Sequence, residues 1–365
     1  MFKKLQGVDL VPEYQHKKAT LYRLDAKHLN NRYYIVTSPF TRKLLNSPEV
    51  VGFECYDSMC NPTKVTLDYF NKKGIIRDAS ILTILRGGLN YPLEECAYRS
   101  GVTIQDMNFL SCERVFDGEV IVGLDIKYKK LHIVDKGTLM IGDIVATGDT
   151  LVKCLKYVVK EYRKVGASLK NIIFFTIGGN MGITIMENLT EELQMYWPDF
   201  EGFHCVYHEG IFSNYIDKGV LGIQLPYVDF YWKDAILAPE YREQTLNDDD
   251  ALFEKCTIYD GGARRYEIPD HYKEVSEYWR GVLDISDKID FKAFTDERIG
   301  YTTPVGYGDW LELNHYGALD SELTHRLYEQ EQKYLEQNSH RTLKEIAQRR
   351  LREFDAAVRK YLPEK

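Results

Sequence analysis

Residues able to do chemistry concentrate in one stretch of this 365-residue chain, Thr138-Leu-Met-Ile-Gly-Asp-Ile-Val-Ala-Thr-Gly-Asp-Thr-Leu151. The apolar run Leu139 to Ile141 reads as a buried strand, and Leu151 to Arg163 has the spacing of a helix. Between them lie Asp143 and the short loop Ala146, Thr147, Gly148, Asp149 and Thr150. A strand, a tight loop and a helix N-terminus form a phosphate cradle, because unpaired N–H groups of the first helical turn and the helix dipole face the anion. Gly148 allows close backbone approach, and the Thr147 and Thr150 hydroxyls can donate to phosphate oxygens. Asp143 stands where a carboxylate can hold sugar hydroxyls or a phosphate-bound metal.

A second stretch, Ile81-Leu-Thr-Ile-Leu-Arg-Gly-Gly-Leu-Asn-Tyr-Pro92, repeats the design: a buried strand, the loop Arg86, Gly87 and Gly88, then helical spacing. Glycines let main-chain N–H groups surround a polyanion while Arg86 supplies a charged fork. Further on, His208 and Glu209 follow the strand Phe203 to Tyr207 and are the candidates for proton handling. His132, in an apolar run, reads as a structural histidine.

The segment around Asp143 and Thr147 to Thr150 resembles the phosphoribosyl-pyrophosphate (PRPP) loop of the type I phosphoribosyltransferases, and its Ala146-Thr147-Gly148 wording is closest to the uracil-type branch. Arg86-Gly87-Gly88 resembles the pyrophosphate loop of that family, and the two loops occur in the family's order, about sixty residues apart. The resemblance covers roughly residues 20–240. It implies transfer of ribose 5-phosphate from PRPP to a nitrogenous acceptor, with Mg²⁺ carried on the PRPP rather than in a dedicated protein metal site. It places the 5′-phosphate on residues 146–150, ribose hydroxyls on Asp143 as a catalytic residue, and pyrophosphate on Arg86 to Gly88. One departure stands out: Gly142 occupies the position of the first of two acidic residues in the family pattern. That departure, and the extra C-terminal part, keep a second reading open: a non-catalytic PRPP or nucleotide-binding regulator on the same fold, with the C-terminal helices making oligomer or partner contacts.

In the family a flexible hairpin between the second and third core strands closes over the site, and Val115 to Val134, with a turn at Asp117-Gly118, occupies that place. Arg114, Lys127, Lys129 and Lys130 are the lid candidates, able to screen pyrophosphate charge. The same lysines equally suit a solvated hairpin edge. Gly222 to Trp232 could form a hood over an acceptor ring or an aromatic edge strand.

The elements needed to position these residues are strands alternating with helices. Ala19–Asp25 and Tyr33–Val36 read as strands of an N-terminal cap, Ser38–Leu45 and Thr66–Lys73 as helices, and Ile81, Asn108–Arg114, Asn171–Ile177 and Phe203–Tyr207 as core strands. The expected fold is therefore α/β, a doubly wound mostly parallel sheet with a hairpin lid, covering residues 1–240. A composition shift at Leu246-Asn-Asp-Asp-Asp250 begins a largely helical extension, 241–365. There, Leu343, Ile346, Ala347, Leu351, Phe354, Val358 and Tyr361 form one apolar stripe suited to the core or a second subunit. The loop Asp260 to Arg265 could bind an anion or be a surface turn.

Composition narrows the partners. With 47 basic and 55 acidic residues the net charge is −8, which disfavours general nucleic-acid binding. No apolar run reaches the length of a membrane span, and seven cysteines without a signal peptide fit a reducing cytoplasm. Cys55 and Cys60 lack a matching Cys/His pair for zinc. A homo-oligomer that binds PRPP and a small nitrogenous acceptor is the expected assembly.

Overall fold

The computed structural model describes residues 5–117, 120–145, 148–213, 230–255 and 263–361. Its centre is a mixed sheet. Strands β1 (Asp9–His16), β2 (Ala19–Asp25) and β3 (Arg32–Thr37) come first, then β4 (Ala79–Leu85), the long pair β5 (Ile104–Asp117) and β6 (Val120–Lys130), and β7 (Gly137–Gly142), β8 (Leu169–Gly179), β9 (Phe203–Ser213) and β10 (Tyr231–Leu237). In space the order is β1-β2-β3-β9-β8-β7-β4-β5-β6, with β10 also paired to β9. The six strands from β3 to β5 run parallel, and the antiparallel pairings lie at both ends and at β10.

The burial of the central strands follows from their composition. β7 is buried at every position, β9 at all but His204 and β8 at all but Lys170, as Val/Ile/Leu/Phe-rich parallel strands covered on both faces should be. Alternation along β3 shows the two covers. Tyr33 donates to Glu187 on α5 (Met181–Tyr196), whereas the ring of its neighbour Tyr34 meets Phe70 on α2 (Phe53–Lys72). The sheet is thus wound on both sides. Helix α3 (Leu93–Arg99) is short, and helix α4 (Asp149–Lys164) buries Leu151, Cys154, Leu155, Val158, Val159 and Tyr162, the i, i+3, i+4 stripe expected of an amphipathic helix.

Several expectations need correction. β1 to β3 are not a separate cap: β3 lies in register beside β9 and extends the main sheet. The helix read from Thr66 begins at Phe53, because α2 continues through Pro62, whose missing N–H makes the sequence look interrupted. Asn108–Arg114 and the first hairpin strand are one 14-residue strand, β5, which pairs with β4 up to Ser111 and with β6 beyond Phe109. His132 is on the surface, its Nδ1 2.7 Å from Asp106. Helix α1 (Pro39–Asn46) starts as expected, capped by the Ser38 hydroxyl.

Beyond β10 the chain is helical: α6 (Pro239–Asn247), α7 (Ala263–Tyr266), α8 (Ile268–Ile285), α9 (Phe291–Ile299), α10 (Tyr307–Asn314), α11 (Ser321–Asn338) and α12 (Leu343–Tyr361). One continuous cluster of buried side chains runs from Leu5 to Phe354. Within it, the guanidinium of Arg242 meets the carboxylate of Glu331 at 2.6 Å, both buried, and joins α6 to α11. Arg350 of α12 reaches Glu254 at 2.5 Å and Glu49, in the α1–α2 connection, at 2.8 Å. On the α12 stripe, Leu343, Ile346, Ala347 and Phe354 are buried. Among the described residues no helix is long and apolar enough to cross a membrane.

The buried Glu187 carboxylate accepts from the N–H groups of Asn30 and Asn31, the Asn31 amide and the Tyr33 hydroxyl. Removing it orphans several buried donors at once. Glu187→Ala should therefore cost about 3 kcal/mol in urea unfolding, with Glu187→Gln costing less. A loss indistinguishable from that of an exposed Glu→Ala control would contradict this role.

Candidate functional site

β4 lies inside the parallel set, and the chain leaves it to form β5 on one side and later β7 on the other. This is the switch point of a doubly wound sheet, where a crevice opens at the strand C-termini. Leu85 ends β4 and Gly142 ends β7, so both glycine loops emerge at that crevice. After a cis Leu85–Arg86 peptide bond, Gly87 to Asn90 form a single 3-10 turn. Gly88 is buried against the other loop: a Cβ there would lie 3.1 Å from the Gly142 carbonyl oxygen and 3.1 Å from the Thr83 methyl. The turn after β4 is therefore in direct contact with the end of β7, from which the other loop leaves.

On the β7 side, Gly148 is the N-cap of α4 with φ +74°, a left-handed conformation that side-chain-bearing residues rarely adopt. It has no side-chain cap, so the first-turn N–H groups of Thr150 and Leu151 begin the helix without an intrahelical acceptor. Asp149 is exposed and Thr150 half-buried at this end. Ala146 and Thr147 fall outside the described residues.

The missing acidic residue has a steric cause. A Cβ on Gly142 would lie 2.4 Å from Cβ and 2.5 Å from Cγ of Tyr91. The buried Tyr91 ring is fixed because its hydroxyl accepts from the Ile177 N–H at 2.9 Å. Tyr91 thus fills the space into which a side chain at residue 142 would project. Asp143, next in sequence, is half-buried, and its Oδ1 accepts from the Ile144 N–H at 2.8 Å. Burial raises its carboxyl to about 7, so its charge changes near neutrality.

Arg86 projects from the opposite wall and is held by a partner that sequence reasoning missed. Its Nη1 and Nη2 donate to the two Glu267 carboxylate oxygens at 2.6 and 3.4 Å. Glu267 immediately precedes α8, and nothing in its local sequence marks it as a site residue. The neighbouring arginines end the loop Asp260 to Arg265, whose residues 260–262 lie outside the described residues. Arg264 is buried and donates to the carbonyls of Val50 and Ser47, and Arg265 donates to Leu89 O beside Gly88.

The other candidates lie apart from this crevice. His208 is fully buried in the layer beneath, its ring centroid 6.3 Å from both Tyr91 and Phe175, and burial lowers its pKa to about 3, so it is neutral. Glu209 is also fully buried. Its Oε1 accepts from the Ser38 N–H at 2.9 Å and from the Thr41 hydroxyl, and burial raises its pKa to about 7. It anchors the start of α1, and neither side chain is presented to an incoming base. On the hairpin, Lys127 pairs with Asp125, Lys129 lies over the Tyr157 ring of α4 and Lys130 contacts Asp106. Of Arg114 only the backbone, within β5, is described. Most of the Gly222–Trp232 segment is outside the described residues; its end joins β10, an edge strand on β9.

Among the described residues no group of three or more His, Cys, Asp or Glu side chains could hold a metal. A cavity of about 590 Å³ lies elsewhere, between α6 and α11. Its Glu243 and Asp250 are already paired with Arg326 and Arg341.

No protein-family model matches the chain, and no curated protein matches it. Among solved structures it is similar to a hypoxanthine phosphoribosyltransferase from Staphylococcus aureus, with 12% identity and a TM-score of 0.27 over 52% of this chain and 91% of that one. It is similar to the Trypanosoma cruzi hypoxanthine phosphoribosyltransferase in complex with the product IMP, with 18% identity and a TM-score of 0.24 over 37% and 68%. A hypothetical protein from Neisseria gonorrhoeae with bound ppGpp matches at 15% identity and a TM-score of 0.24 over 33% and 67%. Likeness this distant defines no activity, and the function has to be argued from the crevice itself.

The Gly142–Tyr91 contact makes a sharp test. Gly142→Ala should cost about 1–3 kcal/mol by overpacking. In a Tyr91→Ala background the same change should cost much less, because the opposing atoms are gone. Equal costs in the two backgrounds, measured by chemical denaturation, would refute the steric account.

Proposed function

We propose that the crevice binds PRPP and that the protein is a phosphoribosyltransferase, passing ribose 5-phosphate to a nitrogenous acceptor and releasing pyrophosphate. The observation that carries this reading is the contact between the two glycine loops at the switch point, Gly88 against the Gly142 carbonyl. Two anion-accepting loops that meet at one crevice, with a carboxylate directly after the contact, suit a pentose with phosphate groups at both ends. The 5′-phosphate would sit on the N–H groups at residues 148–150 and the Thr150 hydroxyl, together with Ala146 and Thr147. Asp143 would accept from ribose hydroxyls, and Arg86, Gly87 and Gly88 would receive the pyrophosphate. Mg²⁺ would arrive on the ligand's phosphate oxygens.

In this reading the protein's own contribution is positioning and charge. The loops hold the anomeric carbon in line with an acceptor nitrogen, and the bond to pyrophosphate breaks as the new C–N bond forms. Main-chain N–H groups and the Arg86 guanidinium stabilise the charge accumulating on the leaving group. His208 and Glu209 take no part as placed. The hairpin remains the proposed lid, with Arg114, Lys127, Lys129 and Lys130 at its base and arms.

A second reading is a PRPP or nucleotide sensor on the same fold. It is favoured by Tyr91, which leaves no room for a first acidic residue, and by the carboxylate already on Arg86. Pyrophosphate release from PRPP with a panel of nucleobases separates the two. Turnover with any base supports the transferase, and saturable PRPP binding with no turnover supports the sensor.

Asp143 gives the site a pH signature. Ribose hydroxyls donate to the ionised carboxylate, so binding favours loss of its proton and affinity should rise as pH climbs through about 7. The ligand phosphate ionises near 6 in every variant and cancels when affinities are compared. The ratio of wild-type to Asp143→Asn affinity for ribose 5-phosphate should grow about tenfold between pH 6 and 8. A ratio independent of pH, by calorimetry, would remove Asp143 from the sugar site.

A further inference from the structure

We infer that Glu267 is an internal competitor for the pyrophosphate loop: its carboxylate occupies the Arg86 fork that a ligand's phosphates would use, and thereby sets the affinity and selectivity of that half of the crevice. The inference rests on reading Arg86 to Gly88 as the pyrophosphate loop.

The geometry is fork on fork, with contacts of 2.6 and 3.4 Å between the two guanidinium nitrogens and the two carboxylate oxygens. A phosphate group takes the same two-donor face. The side chains are 61% and 39% exposed, so an incoming anion can reach them and the pair is weak enough to be displaced.

Glu267 is held in place by more than this pair. The segment just before it is pinned to the elements around the loop. The Gly52 N–H donates to Arg264 O at 3.0 Å, and the buried Arg264 side chain donates to Val50 O at 2.6 Å. Arg265 donates to Leu89 O inside the turn that follows Gly88, and its guanidinium stacks over Tyr56 at 4.5 Å and Tyr266 at 4.8 Å. After losing Arg86, the Glu267 carboxylate is thus kept close to the bound anion. A ligand must outbid it and then tolerate its charge. Pyrophosphate, with several charges, gains more from Arg86 and the loop N–H groups than a lone carboxylate does; weaker anions do not. Glu267 acts through Arg86 and is a specificity-determining residue of the loop rather than a catalytic one.

Calorimetric titration of inorganic pyrophosphate and of ribose 5-phosphate into the full chain tests this in four proteins: wild type, Glu267→Gln, Arg86→Ala and the double variant. Glu267→Gln should tighten pyrophosphate binding about three- to tenfold. It should leave ribose 5-phosphate binding unchanged, and the gain should vanish when Arg86 is absent. Equal or weaker pyrophosphate binding by Glu267→Gln overturns the inference and leaves the PRPP reading standing. So does a gain that persists without Arg86, which would be a general charge effect. Pyrophosphate binding to none of the four, with ribose 5-phosphate bound by all, overturns the pyrophosphate assignment and the inference with it.

Discussion

The site depends on one close approach. At the switch point of the sheet the turn after β4 lies against the end of β7 so closely that a Cβ on Gly88 would stand 3.1 Å from the Gly142 carbonyl oxygen, tighter than an ordinary contact. That contact brings Arg86 and the N-terminus of α4 to one crevice, although their loops are separated by the whole β5–β6 hairpin in sequence. Side-chain-free positions are needed on both sides, and Tyr91 adds a second layer by packing beneath Gly142. The glycines are there for proximity; Gly148 alone of this group also needs its left-handed backbone.

Charge in the crevice combines one ion pair with one sheltered carboxylate. Arg86 faces a carboxylate from the start of α8, and the titratable Asp143 is half sheltered beside the α4 N-terminus. The C-terminal helices are therefore part of the site's electrostatics, through Glu267, and part of its foundation, through Arg264. Further away, Arg350 ties α12 to Glu49 and Glu254, and the Arg242–Glu331 pair locks α6 to α11. The strands that carry the loops are buried on both faces, so the loops spring from rigid supports.

Local signals carried much of this. The runs Leu139–Ile141, stopping at Gly142, and Ile81–Leu85, stopping at Arg86-Gly87-Gly88, marked two buried strands and their loops without any partner being known, and Ser38 marked the start of α1. What escaped was long-range. Tyr91 and Gly142 meet only after folding, so no local signal showed the packing that keeps a side chain out of position 142. Glu267 lies 181 positions from Arg86 and carries no local cue. The burial of His208 and Glu209 was also out of reach, because β9 continues through both residues to Ser213 and is covered on both faces there. Pro62 hid the first half of α2, and the strands read as an N-terminal cap continue the main sheet through the β3–β9 pairing, which no local signal shows.

The most direct measurement is a crystal structure of the protein grown with PRPP and Mg²⁺. The account predicts one ligand bridging both loops, its 5′-phosphate on the N–H groups at 148–150, its ribose hydroxyls at Asp143 and its pyrophosphate at Arg86 to Gly88, with Glu267 turned away. Ligand bound anywhere else, or an empty crevice at saturating PRPP with the Arg86–Glu267 pair intact, would contradict it.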